Sequence, residues 1–188
     1  MFGIHATYCP KSNPTLRHNT IAEALARVLV SAGLDVKHEA AVSGKQRSAD
    51  LFIRGLSWPE PDALDITVVN PLADFDSPGA SERVAQAESA KHTKYDDLCR
   101  SALVKMNAFG VSTLGGVGPE AHRFSGAIRE KLCQAHGKRG HILAQETAQR
   151  ISVACQRAVV AQLMQSVAGQ LPHNPVRAGG SVAPSEFP

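Results

Sequence analysis

Apolar residues recur at helical spacing between residues 20 and 33, and they predict the first helix. The stripe that they form consists of Ile21, Leu25, Val28 and Leu29. Thr20 and Glu23 have the spacing of a capping box, which predicts that the helix begins at Thr20 and that Glu23 caps it. Gly33 is expected to end the helix in a left-handed turn.

The next part of the chain shows the patterns of three strands. Apolar and polar side chains alternate over residues 34–42, and short apolar runs follow over residues 50–54 and 63–69. A basic turn over residues 43–47 precedes the second strand, and a proline-containing loop over residues 55–62 precedes the third. Because the third run is almost continuously apolar, it predicts a central strand covered on both faces.

The second half of the chain predicts three helices and a fourth strand. The expected elements are a helix over residues 81–102, a strand over 105–113, a helix from Pro119, and a long helix after Gly140 that ends near residue 168. Ile142 is one of the apolar positions of the long helix. The glycine-rich segment 114–118 precedes a helix, so it is able to hold an anion, although a compact turn is the simpler explanation.

One lysine of the helix over residues 81–102 lies on the stripe that is expected to face the core. The stripe consists of Val84, Ala87, Lys91, Tyr95, Leu98 and Ala102. Lys94 lies at the edge of this stripe. Lys91 therefore either meets a negatively charged partner or packs its stem and extends its ammonium group to solvent, and the pattern leaves both open.

The order helix–strand–strand–strand–helix–strand–helix–helix indicates an α/β domain over residues 17–168. We expect the first three strands to form a meander, and the helix after them allows a parallel crossover to the fourth strand. The result is a mixed sheet with added C-terminal helices. Residues 1–16 predict an N-terminal arm, and the Pro-, Gly- and Ser-rich residues 169–188 predict a disordered tail.

Charge and cysteine content narrow the class of protein and its compartment. The net charge of +3 fits a nucleic-acid partner but does not require one. No apolar run approaches the length of a membrane span, and the N-terminus lacks the pattern of a signal peptide. The four cysteines lie far apart without a CxxC motif. We therefore expect a reduced protein of the nucleus or cytoplasm that is not secreted and has no membrane partner.

Two aspartates on neighbouring predicted strands are the strongest candidates for a functional site. Fourteen residues separate Asp50 from Asp65, and a turn would bring both carboxylates to one place. Buried carboxylates require a charge partner or a cation, and oxygen ligands with open water positions suit Mg²⁺ or Mn²⁺. Glu39 is the expected third ligand, with Glu23 as the alternative. Lys91 would orient the nucleophile or stabilise a phosphoryl transition state, which is chemistry for phosphodiester hydrolysis.

Basic residues near these acids predict contacts with a nucleic-acid backbone. They are Arg17, His18, Lys45, Arg47 and Arg54.

These motifs together resemble a known family. The order of elements with Asp50 and Asp65 on adjacent strands is similar to the PD-(D/E)xK nuclease fold of restriction enzymes and Holliday-junction resolvases. Ala49 stands where that motif usually has proline, and Thr67 stands where it usually has lysine. Several branches of the superfamily carry the lysine on the following helix instead, as Lys91 would be here.

The sequence most closely resembles the restriction-like endonuclease domain of site-specific non-LTR retrotransposon polyproteins. The features that match are Arg17-His18-Asn19, Ala49-Asp50, the Asp50–Asp65 spacing, Asp65-Ile-Thr-Val-Val and Lys91-His-Thr-Lys94-Tyr95. The resemblance covers about residues 5–165.

The resemblance implies a Mg²⁺- or Mn²⁺-dependent endonuclease that nicks target DNA for target-primed reverse transcription. It implies that Asp50 and Asp65 bind the metal and that Lys91 is the catalytic lysine, with Lys94 as the alternative. Tyr95 matches the motif aromatic, and we expect it to contact nucleic acid. His5 and Cys9 resemble the last two ligands of the zinc knuckle that precedes this domain, but four ligands are needed, so we do not expect Zn²⁺ here. DNA and the reverse transcriptase of a retroelement polyprotein are the implied partners.

Two alternatives to an active nuclease stay open from the sequence. One is a catalytically inactive nuclease fold that only binds nucleic acid or a protein partner. The other is an α/β protein in which the two acids have a structural role.

Overall fold

The computed structural model describes residues 14–42, 48–57, 59–70 and 79–168. The predicted arm up to residue 13, the basic turn 43–47 and the predicted tail 169–188 lie outside these residues. The elements within them are helix α1 (Pro14–Ser31), strands β1 (Asp35–Ala41), β2 (Ser48–Arg54) and β3 (Asp62–Val69), helix α2 (Ala80–Ser101), strand β4 (Lys105–Ser112), and helices α3 (Pro119–His136) and α4 (Arg139–Ala168).

The four strands form one mixed sheet in the order β1-β2-β3-β4. The pairs β1–β2 and β2–β3 are antiparallel, and β3 pairs with β4 in parallel, from Asp62 opposite Lys105 to Val69 opposite Ser112. The predicted α/β class, the meander and the parallel crossover through α2 are therefore confirmed.

Helices cover both faces of the sheet because neighbouring residues of β3 point to opposite sides. Leu64 belongs to the larger apolar core, which β2, β3 and β4 share with α1, α3 and α4. Ala63, its neighbour, belongs to a smaller cluster with Cys99 and Val104, at the end of α2 and just after it. Among the described helices, α2 is the one that covers the face of the sheet carrying the side chains of Ala63 and Asp65. Within the described residues, no helix has the length and apolar character needed to cross a membrane.

The predicted start of the first helix is wrong. Helix α1 begins at Pro14, six residues before Thr20, because proline suits a first helical turn, where its missing N–H has no helical partner. Thr20 lies inside the helix, and its hydroxyl donates to the carbonyl of Leu16 at 2.7 Å, so it caps nothing. The predicted left-handed turn at Gly33 is confirmed by its φ of 79°. Ile142, one of the apolar positions of the predicted long helix, is 59% exposed on α4.

A buried carboxylate joins α2 to β4 and α3. Glu88 is 2% exposed, and its side chain accepts hydrogen bonds from the backbone N–H groups of Gly110, Glu120 and Ala121 at 3.0–3.1 Å. The last two donors belong to the first turn of α3, where a negative charge is favoured. The anion at the start of α3 is thus a side chain of the same protein, and its donors lie in β4 and α3 rather than in the glycine-rich segment 114–118. A side chain at Gly118 would collide with the Glu88 carboxylate, since a Cβ there would meet Glu88 Oε1.

We expect Glu88→Ala to lower the free energy of unfolding by about 3 kcal/mol or more, because three backbone donors would lose their acceptor in a buried site. Urea unfolding measures the loss. Glu130→Ala, which changes an exposed glutamate of α3, is the control and should alter stability by less than about 0.5 kcal/mol. Equal effects of the two substitutions would contradict this role of Glu88.

Candidate metal centre

Asp50 and Asp65 meet where β2 and β3 separate. The antiparallel pairing runs through Leu51 opposite Leu64, and one further step in the same register places Asp50 opposite Asp65. Here the backbone N–H of Ile66 donates a hydrogen bond to Asp50 Oδ2 at 2.6 Å. A side-chain oxygen thus takes the place of the backbone carbonyl that would accept this N–H in a regular strand pair. The two carboxylates lie close enough for each to shift the pKa of the other. Asp65 is 8% exposed, so this pair of acids lies at the edge of the core.

Helix α2 brings a lysine to this pair. The Lys91 ammonium nitrogen lies 2.6 Å from Asp65 Oδ2, which makes a partly buried ion pair. Lys94 is exposed and lies over the Tyr95 ring, with its nitrogen 4.9 Å from the ring centroid. The Lys91 nitrogen is 5.9 Å from the same centroid. The structure therefore brings Lys91 to the acids and places Lys94 on the surface, with both ammonium groups near the Tyr95 ring.

Helix α1 supplies a histidine to the other acid. His18 Nε2 lies 2.7 Å from Asp50 Oδ2, although 32 residues separate the two in sequence. His18 was expected to contact a nucleic-acid backbone, but the structure places its ring on the acid pair. The hydrogen bond to Asp50 raises the pKa of His18 despite partial burial. No sequence spacing signals this contact, since it depends on how α1 crosses the sheet.

The surroundings shift the two carboxyl groups in opposite directions. Burial favours the neutral form of Asp50, but the hydrogen bonds from His18 and from the N–H of Ile66 outweigh it and lower the pKa of Asp50. Burial and the nearby charge of Asp50 raise the pKa of Asp65, and the Lys91 ammonium offsets this only in part. Ionisation of both carboxyl groups at once is therefore unfavourable unless further positive charge is present.

The donor set fits a divalent cation. Asp65 Oδ2 is buried without a hydrogen bond of good geometry, and Lys91 is the charged group beside it. Mg²⁺ and Mn²⁺ prefer oxygen ligands, and the two carboxylates offer oxygens with lone pairs from two neighbouring strands. A cation at this position would relieve the repulsion that raises the pKa of Asp65. Asp50 and Asp65 would hold it.

The structure does not bring the predicted third ligand to this site. Glu39 would lie opposite Asp50, because His38 pairs with Leu51 and Ala40 with Ala49. Its φ of 48° takes it out of the strand pairing, however, and its side chain is exposed. The alternative, Glu23, is also exposed and lies 3.8 Å from His38 Nε2. In the described segments no three His, Cys, Asp or Glu side chains are arranged to hold a metal ion.

Four predicted site residues lie outside the described residues, namely His5, Cys9, Lys45 and Arg47. Besides His18, two of the basic residues lie within them. Arg54 lies at the end of β2, with its guanidinium 5.9 Å from the Phe52 ring centroid. Arg17, predicted to contact a nucleic-acid backbone, lies in the first turn of α1 and is 8% exposed.

A second polar cluster, which the sequence did not indicate, lies next to Lys91. Both ring nitrogens of His92 are engaged, Nδ1 with Asp96 Oδ1 and Nε2 with Glu120 Oε2, each at 2.7 Å. Glu120 also accepts the backbone N–H of Ala108 at 3.0 Å. The cluster ties α2 to α3 and β4, and so it helps to fix the position of Lys91. Only the four-residue spacing of His92 and Asp96 was visible in the sequence.

We expect the contribution of His92 to stability to depend on pH. Burial of the ring would lower its pKa, but the hydrogen bonds to Asp96 and Glu120 raise it above 6.5. The contribution is therefore fully present below pH 6.5 and is lost as the pH rises through the folded-state pKa. Urea unfolding of wild type and His92→Gln at several pH values should show a difference that shrinks toward alkaline pH. His141→Gln, at an exposed histidine of α4, is the control, and a pH-independent difference for His92→Gln would contradict the prediction.

Comparisons with known proteins do not identify the chain. No protein-family model matches the sequence, and no curated protein shows significant similarity to it.

Proposed function

We propose that this chain is a metal-dependent DNA endonuclease domain. The observation that carries the proposal is the contact of the Lys91 ammonium with Asp65, 2.6 Å away, at the point where Asp65 meets Asp50. Two carboxylates on neighbouring inner strands and one ammonium from the helix that covers them are groups that can promote phosphodiester hydrolysis. A bound Mg²⁺ or Mn²⁺ would lower the pKa of a water molecule and neutralise charge on a phosphoryl oxygen.

The protein's own residues have separable tasks in this proposal. Asp50 and Asp65 hold the cation, and the N–H of Ile66 and the ring of His18 fix the orientation of Asp50. Lys91 stands beside Asp65, where its ammonium group orients a nucleophile or stabilises the negative charge that develops on the phosphate. Its ion pair with Asp65 and its partial burial restrict its motion, which favours a single working position.

The proposed fold is the restriction-endonuclease-like variety of α/β protein. Support comes from the three-strand meander, the parallel crossover through α2, and the placement of the two acids on adjacent strands. Within this proposal the chain is part of a retroelement, acts with a reverse transcriptase on target DNA, and works in the nucleus or cytoplasm.

A nuclease fold without activity is the second candidate. The observation that favours it is the exposed position of Glu39, which leaves the pair of acids without a third carboxylate among the described residues. Such a protein would bind nucleic acid or a protein partner through the same surface without cleaving DNA.

Conversion of supercoiled plasmid to the nicked circle distinguishes the two candidates. The proposal predicts nicking with Mg²⁺ or Mn²⁺, none in EDTA, and none for Asp65→Ala with either ion. Salt-dependent DNA binding without nicking under any metal would favour the inactive fold. A failure to bind DNA at all would contradict both.

A further inference from the structure

Helix α4 carries apolar side chains on the side that faces solvent as well as on the side that faces the core. Its core side buries Ile151, Cys155 and Ala158. Eight large apolar side chains are exposed within the described residues, and four of them belong to α4, with exposed fractions of 42–65%. These four are Ile142, Val153, Val160 and Met164.

The four exposed residues form one row, which we call the α4 stripe. At about 100° per residue they lie within about 40° of one another around the helix, and Ile151 and Ala158 lie on the opposite side. The row is about 33 Å long, because a helix rises about 1.5 Å per residue. Single exposed apolar side chains are ordinary on a protein surface, whereas a contiguous row of them marks an interaction site.

A groove beside the α4 stripe extends this surface onto α1. The groove has a volume of about 780 Å³ and lies between the two helices. Its apolar lining comes from Ala24 and Val28 of α1 and from Val153 and Ala154 of α4. Since Val153 belongs to both the stripe and the groove, a helix laid along the stripe would also cover the groove.

The spacing of the α4 stripe makes it complementary to itself. Ile142 and Met164 lie eleven residues before and eleven residues after Val153, and eleven residues are close to three full turns. When two copies of α4 pack antiparallel with Val153 at the two-fold axis, Ile142 of one protomer lies opposite Met164 of its partner. A two-fold interface has this property, because it uses the same patch on both subunits.

The charged residues beside the α4 stripe fit the same antiparallel arrangement. Glu146 and Arg157 lie on the same side of the stripe, and a two-fold axis across the helices brings equal sides together. Glu146 then faces Val160 of the partner helix, one turn from Arg157, so the two charges come within reach of each other twice in the dimer. A parallel pair would instead place each charge at the level of an identical one, which opposes association.

We propose that the α4 stripe is the interface of an antiparallel two-fold homodimer of this chain. Nucleic acid is held mainly through its phosphates, and it would not require a row of aliphatic side chains. One helix face and one groove make a small interface, so we expect a weak dimer with a dissociation constant of about 10 μM. The proposal does not depend on the endonuclease function.

Sedimentation equilibrium of the full chain tests the proposal. The mass of the wild type should rise from 20.0 kDa toward twice that value with increasing concentration. Val153→Asp should raise the dissociation constant about 100-fold or more, because two carboxylates would face each other at the axis. The control is Leu103→Asp, which makes the same apolar-to-charged change at a side chain that is 72% exposed and lies just after α2. It should dimerise as the wild type does.

Exchange of the two charges tests the antiparallel register. Glu146→Arg and Arg157→Glu should each weaken the dimer about tenfold, and the variant that carries both should regain most of the wild-type affinity, since each pair is restored with the signs reversed. The bond of Glu146 to Arg150 within α4 is exposed and 3.5 Å long, so its loss should change stability little. A double variant as weak as the single ones would overturn the register.

A measurement on the wild type alone keeps the proposal testable if a variant does not fold. In NMR spectra recorded between about 10 μM and 500 μM, the methyl signals of Val153 and Met164 should move with concentration, and those of Leu103 should not. A wild type that stays monomeric at the highest concentration would overturn the proposal, as would a dimer that Val153→Asp leaves intact. A monomer whose DNA binding is weakened by Val153→Asp would assign this face to nucleic acid instead.

Discussion

Lys91→Met should lower the rate constant for plasmid nicking about 100-fold or more at saturating Mn²⁺. The ammonium group of Lys91 lies 2.6 Å from Asp65, where it is available to stabilise charge in the transition state, and removing one such donor typically has an effect of this size. Mn²⁺ affinity should not fall, because Lys91 competes with the cation for the Asp65 carboxylate. Single-turnover nicking across a range of Mn²⁺ concentrations separates the rate constant from the metal affinity.

Lys94→Met is the matched control for Lys91→Met. Lys94 is exposed, three residues later in α2, and it shares the Tyr95 ring with Lys91. We expect its rate constant to stay within about threefold of wild type, since it touches neither acid. If Lys94→Met loses a large part of the rate and Lys91→Met does not, then Lys94 is the catalytic lysine and our assignment of Lys91 is wrong.

The second large effect concerns cation binding. Mn²⁺ at about 100 times its dissociation constant should stabilise the wild type by about 2.7 kcal/mol, and Asp50→Asn or Asp65→Asn should lose most of this gain. Burial and the charge of Asp50 raise the pKa of Asp65. A cation that restores full ionisation of the pair therefore stabilises the folded protein. Urea unfolding with Mn²⁺ and with EDTA measures the difference.

Glu39→Gln is the control for the two aspartate substitutions. Its side chain is exposed, and its φ of 48° takes it out of the strand pairing beside Asp50. The gain from Mn²⁺ should therefore match that of wild type. A loss in Glu39→Gln as large as in Asp65→Asn would mean that Glu39 is a ligand after all.

Much of the fold was predictable because its signals are local. Hydrophobic periodicity and the glycine at position 33 place most of the described helices and strands, and their order alone indicates the meander and the crossover. The start of α1 was missed because Thr20 and Glu23 imitate a cap. In the folded protein Pro14 begins the helix instead, and the Thr20 hydroxyl has its acceptor one turn back.

The candidate site was predictable only in part, for a related reason. Strand pairing indicated that Asp50 and Asp65 would meet, and the helical wheel indicated that Lys91 would face them. Each of these signals is contained within one strand pair or one helix. The contact of His18 with Asp50 depends on how α1 packs across the sheet, and no periodicity encodes that. Glu88 follows Val84 by four residues, a spacing that places it on the same side of α2. Its three backbone donors could not be predicted, because they come from β4 and α3, further along the chain.

The binding of one divalent cation by Asp50 and Asp65 is the claim from which the proposed activity follows. Anomalous diffraction from a crystal grown with Mn²⁺ tests it most directly. The account predicts an anomalous peak within about 2.5 Å of an oxygen of each carboxylate, with Lys91 still beside the pair. An acid pair without any peak at saturating Mn²⁺, and with Lys91 still closed onto Asp65, would contradict it.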